Sequence, residues 1–150
     1  MPISSRLPML EMPNTCEYVG VFLTLSCNLA CGYCINKTDR EVDRHKLYPG
    51  SKIITPAEWI AIFNRIPLNH TLPISLQGGE PTLYWHRKGI GEILTGTNHY
   101  FDLLTNFAMT PDKFVASLNG NQHKFMRGSI FGLPYQSIRV SYHAKEMNRV

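Results

Sequence analysis

Along this chain, apolar positions fall into two kinds of run, and the changes between them outline strands and helices in alternation. Residues 18–25, Tyr-Val-Gly-Val-Phe-Leu-Thr-Leu, are a continuous and partly β-branched apolar run of strand length. Such a run is expected of a strand covered on both faces in a parallel sheet. Residues 74–77 read as the next strand, 100–105 as the third and 137–142 as a fourth. Between the first two strands the period lengthens. Thr55-Pro56-Ala57-Glu58 predicts a helix start, with Thr55 as N-cap, Pro56 in the first turn and Glu58 closing a capping box. Trp59, Ile60, Phe63 and Ile66 follow at helical spacing as a core-facing stripe, and Pro67 is the expected stop. A helix is predicted over 87–94, and another from Thr110-Pro111 through 118, stopped by Asn119-Gly120. The connector after it has no clear period.

Strands that alternate with helices need crossover connections, which favour a parallel sheet. The prediction is an α/β fold of about four parallel strands with alternating helices. Residues 1–17, with three prolines, read as an irregular lead-in, and 18–150 as one domain. The polar stretch 36–52 reads as a loop of the kind that often carries function.

Composition narrows the classes. A hydrophobic fraction of 43% in 150 residues is enough for a globular core. The net charge of +4, from 15 basic and 11 acidic residues, is thinly spread. Nucleic acid is not implied, because the densest basic group, His123-Lys124 with Arg127, is too small for a phosphate-binding stripe. No apolar stretch approaches the ~20 residues of a membrane span. The first residues lack a signal-peptide pattern, so cytoplasm is the expected location.

Three of the four cysteines change the picture. Cys27-Asn28-Leu29-Ala30-Cys31-Gly32-Tyr33-Cys34 places three thiols in one loop directly after the first predicted strand. Clustered thiols suit metal rather than a secreted disulfide framework. Three thiolates can hold three irons of a cubane cluster and leave the fourth iron open, as open catalytic metal sites do. Cys16 lies outside the triplet. As a fourth ligand it would make a closed cluster for electron transfer or a four-cysteine zinc site; otherwise it is a small buried hydrophobe.

With Gly78-Gly79-Glu80-Pro81 after the second strand, this loop resembles the radical S-adenosylmethionine (radical SAM) superfamily, whose cluster loop reads C-x3-C-x-aromatic-C. The resemblance covers residues 18–143. It implies an incomplete (β/α) TIM-like barrel and an enzyme that uses a [4Fe-4S] cluster on Cys27, Cys31 and Cys34. Reductive cleavage of S-adenosylmethionine would give a 5'-deoxyadenosyl radical that takes hydrogen from a substrate the sequence does not identify. An external electron donor such as a flavodoxin or ferredoxin is implied as partner. Tyr33 would cover the cluster and border the adenine. Gly78, Gly79, Glu80 and Pro81 would receive the methionyl ammonium, the glycines by letting backbone approach the ligand. Asn106 and Ser141, at strand ends, would meet the ligand's carboxylate or ribose, and no further catalytic residue is assigned.

All these elements follow strands, so they should share the carboxyl face of the sheet, where barrel enzymes place their sites. A full barrel needs roughly 250 residues. The expectation is therefore the front part of a longer protein, or a second chain that completes the barrel.

Overall fold

The computed structural model describes residues 8–29, 31–34, 53–69 and 71–144, with backbone alone at 85–88. The predicted loop over 36–52, the first seven residues of the lead-in and everything after 144 lie outside the described residues.

Four strands, β1 (Val19–Thr24), β2 (Ile74–Gly78), β3 (Phe101–Thr105) and β6 (Ile138–Val140), form one parallel sheet in the order β1-β2-β3-β6. Helices α1 (Pro56–Phe63), α2 (Pro81–Lys88), α3 (Ile90–Gly96) and α4 (Pro111–Ser117) occupy the connections. Parity along the strands decides what each face meets. Leu23, Ile74, Leu76, Phe101 and Leu103 pack with Trp59, Phe63, Ile90, Ile93, Leu94, Phe114 and Leu118 in the buried core between sheet and helices. The alternate residues carry a polar network instead. Asp102, fully buried, accepts from Ser75 at 2.8 Å, Tyr135 at 3.0 Å and Arg139 at 2.6 Å, and the Arg139 guanidinium lies 4.2 Å from the Tyr135 ring centre. Three donors thus meet the buried carboxylate, which makes its burial tolerable, while Arg139 stays partly exposed and its Nε is buried without a hydrogen-bond partner.

The expected capping box is present: Thr55 accepts from the Glu58 N–H at 3.3 Å, and Glu58 accepts from the Thr55 N–H at 2.9 Å. Helix α1 ends at Phe63 rather than running to Pro67, and a turn carries Ile66 into the core.

Three sequence expectations need correction. Among the described residues the first strand is covered on one face only: Phe22, on the face away from the helices, is 47% exposed, and the strand lies at the edge of the described sheet. Its apolar run is explained by Val19, Val21 and Leu23 on the core side alone. The helix predicted over 87–94 is really two helices, starting earlier at Pro81 and broken at Gly89, whose φ of 75° ends one and begins the next. Glu80 is the N-cap and Pro81 the first helical residue, a start signal hidden inside a motif read as a ligand turn. Third, the connector holds a hairpin, β4 (Gly128–Ile130) with β5 (Leu133–Tyr135). Its two-residue turn, Phe131-Gly132, takes positive φ at both positions, as a tight primed turn requires. Phenylalanine gives no sequence signal for that conformation.

Candidate functional site

The carboxyl end of the sheet is built from two chain segments locked together by backbone. After a register shift in β1 between Phe22 and Thr24, the N–H of Gly79 donates to the Thr24 carbonyl at 2.8 Å and that of Glu80 to the Ser26 carbonyl at 2.8 Å. The glycines make this possible. A Cβ on Gly79 would stand 2.3 Å from the Ser26 oxygen and 2.5 Å from that of Leu25, while Gly78, at φ 145°, is in a region open essentially to glycine and would put a Cβ 2.2 Å from the Thr24 oxygen. The space a side chain would fill is taken by the base of the cysteine loop, while both glycines also line the cavity at this end of the sheet. The two motifs are one structural unit.

Glu80 is not where it was expected to act. Its side chain is 1% exposed and both carboxylate oxygens are spoken for. Oε1 accepts from the Thr82 N–H at 2.9 Å, from the Thr82 hydroxyl at 2.6 Å and from the Thr105 hydroxyl; Oε2 accepts from the Asn106 N–H at 2.6 Å. Glu80 therefore caps α2 and ties the ends of β2 and β3. Any hold on a ligand ammonium by this turn comes from backbone, not from the carboxylate. Pro81 opens α2 and is buried.

Asn106, 5% exposed, reaches back to the cysteine loop: its Nδ2 donates to Asn28 Oδ1 at 2.9 Å and lies 3.9 Å from Cys27 Sγ. Its Oδ1 is buried without a hydrogen-bond partner, a costly condition for an amide oxygen. Ser141 follows β6 and is held by its N–H on the Thr105 carbonyl at 2.8 Å. Tyr33, in the loop, is largely exposed, and its hydroxyl pairs with His143 Nδ1 at 2.5 Å.

These groups surround one cavity of about 270 Å³. Cys27, Cys31, Cys34, Tyr33, Gly78, Gly79, Glu80, Asn106 and Ser141 all line it, together with Phe22, Leu29, Gln77, Leu104, Thr105 and His143. Every residue assigned to the site from the sequence, Pro81 excepted, thus lines one cavity. His143 and Gln77 were not among them. His143 stands two residues beyond Ser141 on an extended segment, so it shares that residue's side of the chain, a signal available from parity. Gln77 shares the open face with Ser75 and donates to the Tyr18 hydroxyl at 3.1 Å.

Cys16 goes elsewhere. It lines a separate cavity of about 500 Å³ with Val19, Ile74 and His99, residues at or before the amino ends of β1, β2 and β3. The six residues of β1 separate it from Cys27 by roughly 20 Å at strand rise. It does not join the loop thiols, so the four-ligand alternatives that needed Cys16 have no support in this arrangement. None of the four cysteines forms a disulfide.

Three thiols in one loop are the donor type that iron-sulfur clusters take, and among the described residues no group of three or more His, Cys, Asp or Glu side chains is gathered so as to hold a metal ion. No described helix is long and apolar enough to cross a membrane. Comparison with known proteins returns no matching protein-family model, no matching curated protein and no matching solved structure.

Proposed function

We propose that this chain is a radical SAM enzyme, or the cluster-bearing part of one. On this reading Cys27, Cys31 and Cys34 hold a [4Fe-4S] cluster and the adjoining cavity receives S-adenosylmethionine. One observation carries it: the three loop thiols and the Gly78-Gly79 turn, about fifty residues apart in sequence, line the same cavity at the carboxyl end of a parallel sheet. That is the end at which barrel enzymes bind their substrates, and it supports reading the sheet as part of a TIM-like barrel. Held by Cys27, Cys31 and Cys34, a reduced cluster would supply the electron for cleaving S-adenosylmethionine into methionine and a 5'-deoxyadenosyl radical, which would take hydrogen from a substrate not yet identified.

The chain's own residues supply placement and dryness. Glu80 and the glycine turn fix the loop base against β2. Leu29, Leu104 and Phe22 give the cavity apolar wall. Asn106 Oδ1 wants a hydrogen-bond donor, so it suits a ligand ammonium or ribose hydroxyl; with Nδ2 already given to Asn28, it does not suit a carboxylate. Tyr33 and His143, joined through their polar atoms, stand over the cavity from the loop and from the end of β6. The electron donor, a flavodoxin or ferredoxin type, is part of the same proposal.

Anaerobic reconstitution with iron and sulfide tests this. The expected product is brown, with about four irons per chain and broad absorption in the blue. Addition of S-adenosylmethionine should alter the paramagnetic resonance spectrum of the reduced protein. A colourless protein that takes up only zinc, or a cluster whose spectrum ignores S-adenosylmethionine, overturns the reading.

A further inference from the structure

The three loop sulfurs are not in equivalent surroundings. The Leu29 N–H meets Cys27 Sγ at 3.4 Å and the Asn106 side-chain amide approaches the same atom at 3.9 Å. Both of these N–H groups fall on Cys27. The amide's orientation follows from its neighbours: a thiolate and the Asn28 carbonyl oxygen both accept, so the NH2 end faces them. Asn106 cannot readily turn away. Its backbone N–H is held by the Glu80 carboxylate at 2.6 Å, its side chain is tied to Asn28 within the loop, and the residue is buried. A chain of contacts thus runs from the Gly-Gly-Glu turn through Asn106 to a sulfur of the cysteine loop.

Resting on the cluster reading above, we propose that Asn106 is a positioning residue that raises the reduction potential of the bound cluster by aiming its amide at the Cys27 thiolate, with Glu80 as its anchor. An N–H dipole directed at a ligating sulfur favours the form that carries more negative charge, which is the reduced one. Hydrogen bonds to the sulfurs are among the factors that set such potentials, and partners just outside the ligand set tune metal sites generally. The effect acts at the iron corner held by Cys27, the sulfur that the Asn106 amide approaches.

The test is a mediated redox titration of the full-length chain, reconstituted anaerobically, comparing wild type with Asn106→Leu and Asn106→Asp. Both variants should hold the cluster and titrate at more negative midpoint potential. Asn106→Asp should lie lowest, since it replaces a donor by a negative charge; a purely structural role would not impose that order. Asn28→Ala, at an exposed position, keeps the question open to measurement if the buried variants do not fold. It releases the amide and should move the potential the same way by less. An unchanged potential in Asn106→Leu, or in Asn28→Ala where the Asn106 variants do not fold, overturns the proposal and leaves the cluster reading standing. A wild-type chain that binds no iron overturns both.

Discussion

Cys16 and Cys27 bracket the same strand and have opposite relations with their surroundings. The Cys16 thiol lies 3.6 Å from the Tyr18 carbonyl as a donor, among Met12, Val19, Ile66 and Ile74. The Cys27 sulfur is an acceptor, addressed by the Leu29 N–H and the Asn106 amide. A sulfur that donates to a carbonyl acts as a small hydrophobe with a weak donor, whereas one that faces N–H groups makes the kind of contact that cluster sulfurs accept. The difference extends to the two ends of the sheet. At the amino end, apolar side chains and His99 line a cavity of about 500 Å³; at the carboxyl end, the glycine turn, the buried Asn106 and the three loop cysteines line one of about 270 Å³. Parallel strands make this polarity possible because every strand presents the same end to the same side.

The sharpest way to break the contrast is to remove one cysteine from each end. Cys27→Ala should abolish stable cluster assembly, with Cys31→Ala and Cys34→Ala doing the same, while Cys16→Ala should keep the full iron and sulfide content. Iron and sulfide analysis after reconstitution measures it. If Cys16→Ala loses the cluster as completely as Cys27→Ala, the division between the ends is wrong.

Next in size is the carboxylate that organises the carboxyl end. Glu80→Ala would leave the donors of Thr82, Thr105 and Asn106 buried without their acceptor. A loss of about 3 kcal/mol or more in unfolding free energy is expected, since each buried donor left unsatisfied costs about 1–3 kcal/mol. Glu80→Gln, which keeps the shape but turns an NH2 toward donors, should lose roughly half as much. Denaturant unfolding of the apoprotein reads both. A near-neutral Glu80→Ala would mean that the buried network does not hold the two motifs together.

Gly79→Ala probes the same junction sterically. The added methyl meets backbone oxygens of Leu25 and Ser26, which cannot swing aside as a side-chain tip would. A cost of about 1–3 kcal/mol is expected for such overpacking, and weaker iron retention should accompany it because the loop base must shift. Chelator challenge of the reconstituted protein compares retention with wild type. Stability lost with retention unchanged would uncouple the turn from the loop.

Much of this arrangement is legible in the sequence, and the omissions have identifiable causes. The strands announce themselves as short β-branched runs, and Thr55 to Glu58 spell a helix start that the structure reproduces bond for bond. The convergence of Cys27, Gly78, Asn106 and Ser141 follows from strand polarity alone. What stays hidden is direction within the site. Nothing in Gly78-Gly79-Glu80 tells whether the glycines face a ligand or another backbone, or whether the carboxylate looks outward or caps its own helix. Both answers depend on where residues 24–26 lie, fifty positions away. The break at Gly89 escaped because apolar positions continue across it, and the hairpin because Phe131 occupies a turn position usually left to Gly or Asn. Asp102 and Arg139 carry no sequence sign of their pairing, which arises only because β3 lies beside β6.

The smallest expected effect belongs to the amino end and tests whether it is structural rather than reactive. His99 is 5% exposed, and its Nε2–H donates to the Phe63 carbonyl at 2.9 Å. Burial pushes its pKa below the ordinary histidine value; the hydrogen bond to Phe63 opposes the shift and the nearby Lys124 charge adds to it. In the unfolded chain the ring takes a proton as pH falls through about 6.5, while in the folded chain it stays neutral to lower pH. The unfolded state then binds more protons, so stability declines from about pH 6.5 downward and levels off below the folded value; above neutrality the term vanishes. His99→Gln, which retains a donor for Phe63, should remove this part of the acid limb and leave a nearly constant offset at higher pH. Thermal midpoints measured from pH 8 to pH 5 decide it: wild-type and variant curves that converge or diverge only below neutrality support a buried neutral histidine. Curves that run parallel throughout would show that His99 is protonated alike in both states and that the amino end is more open to water than its packing implies.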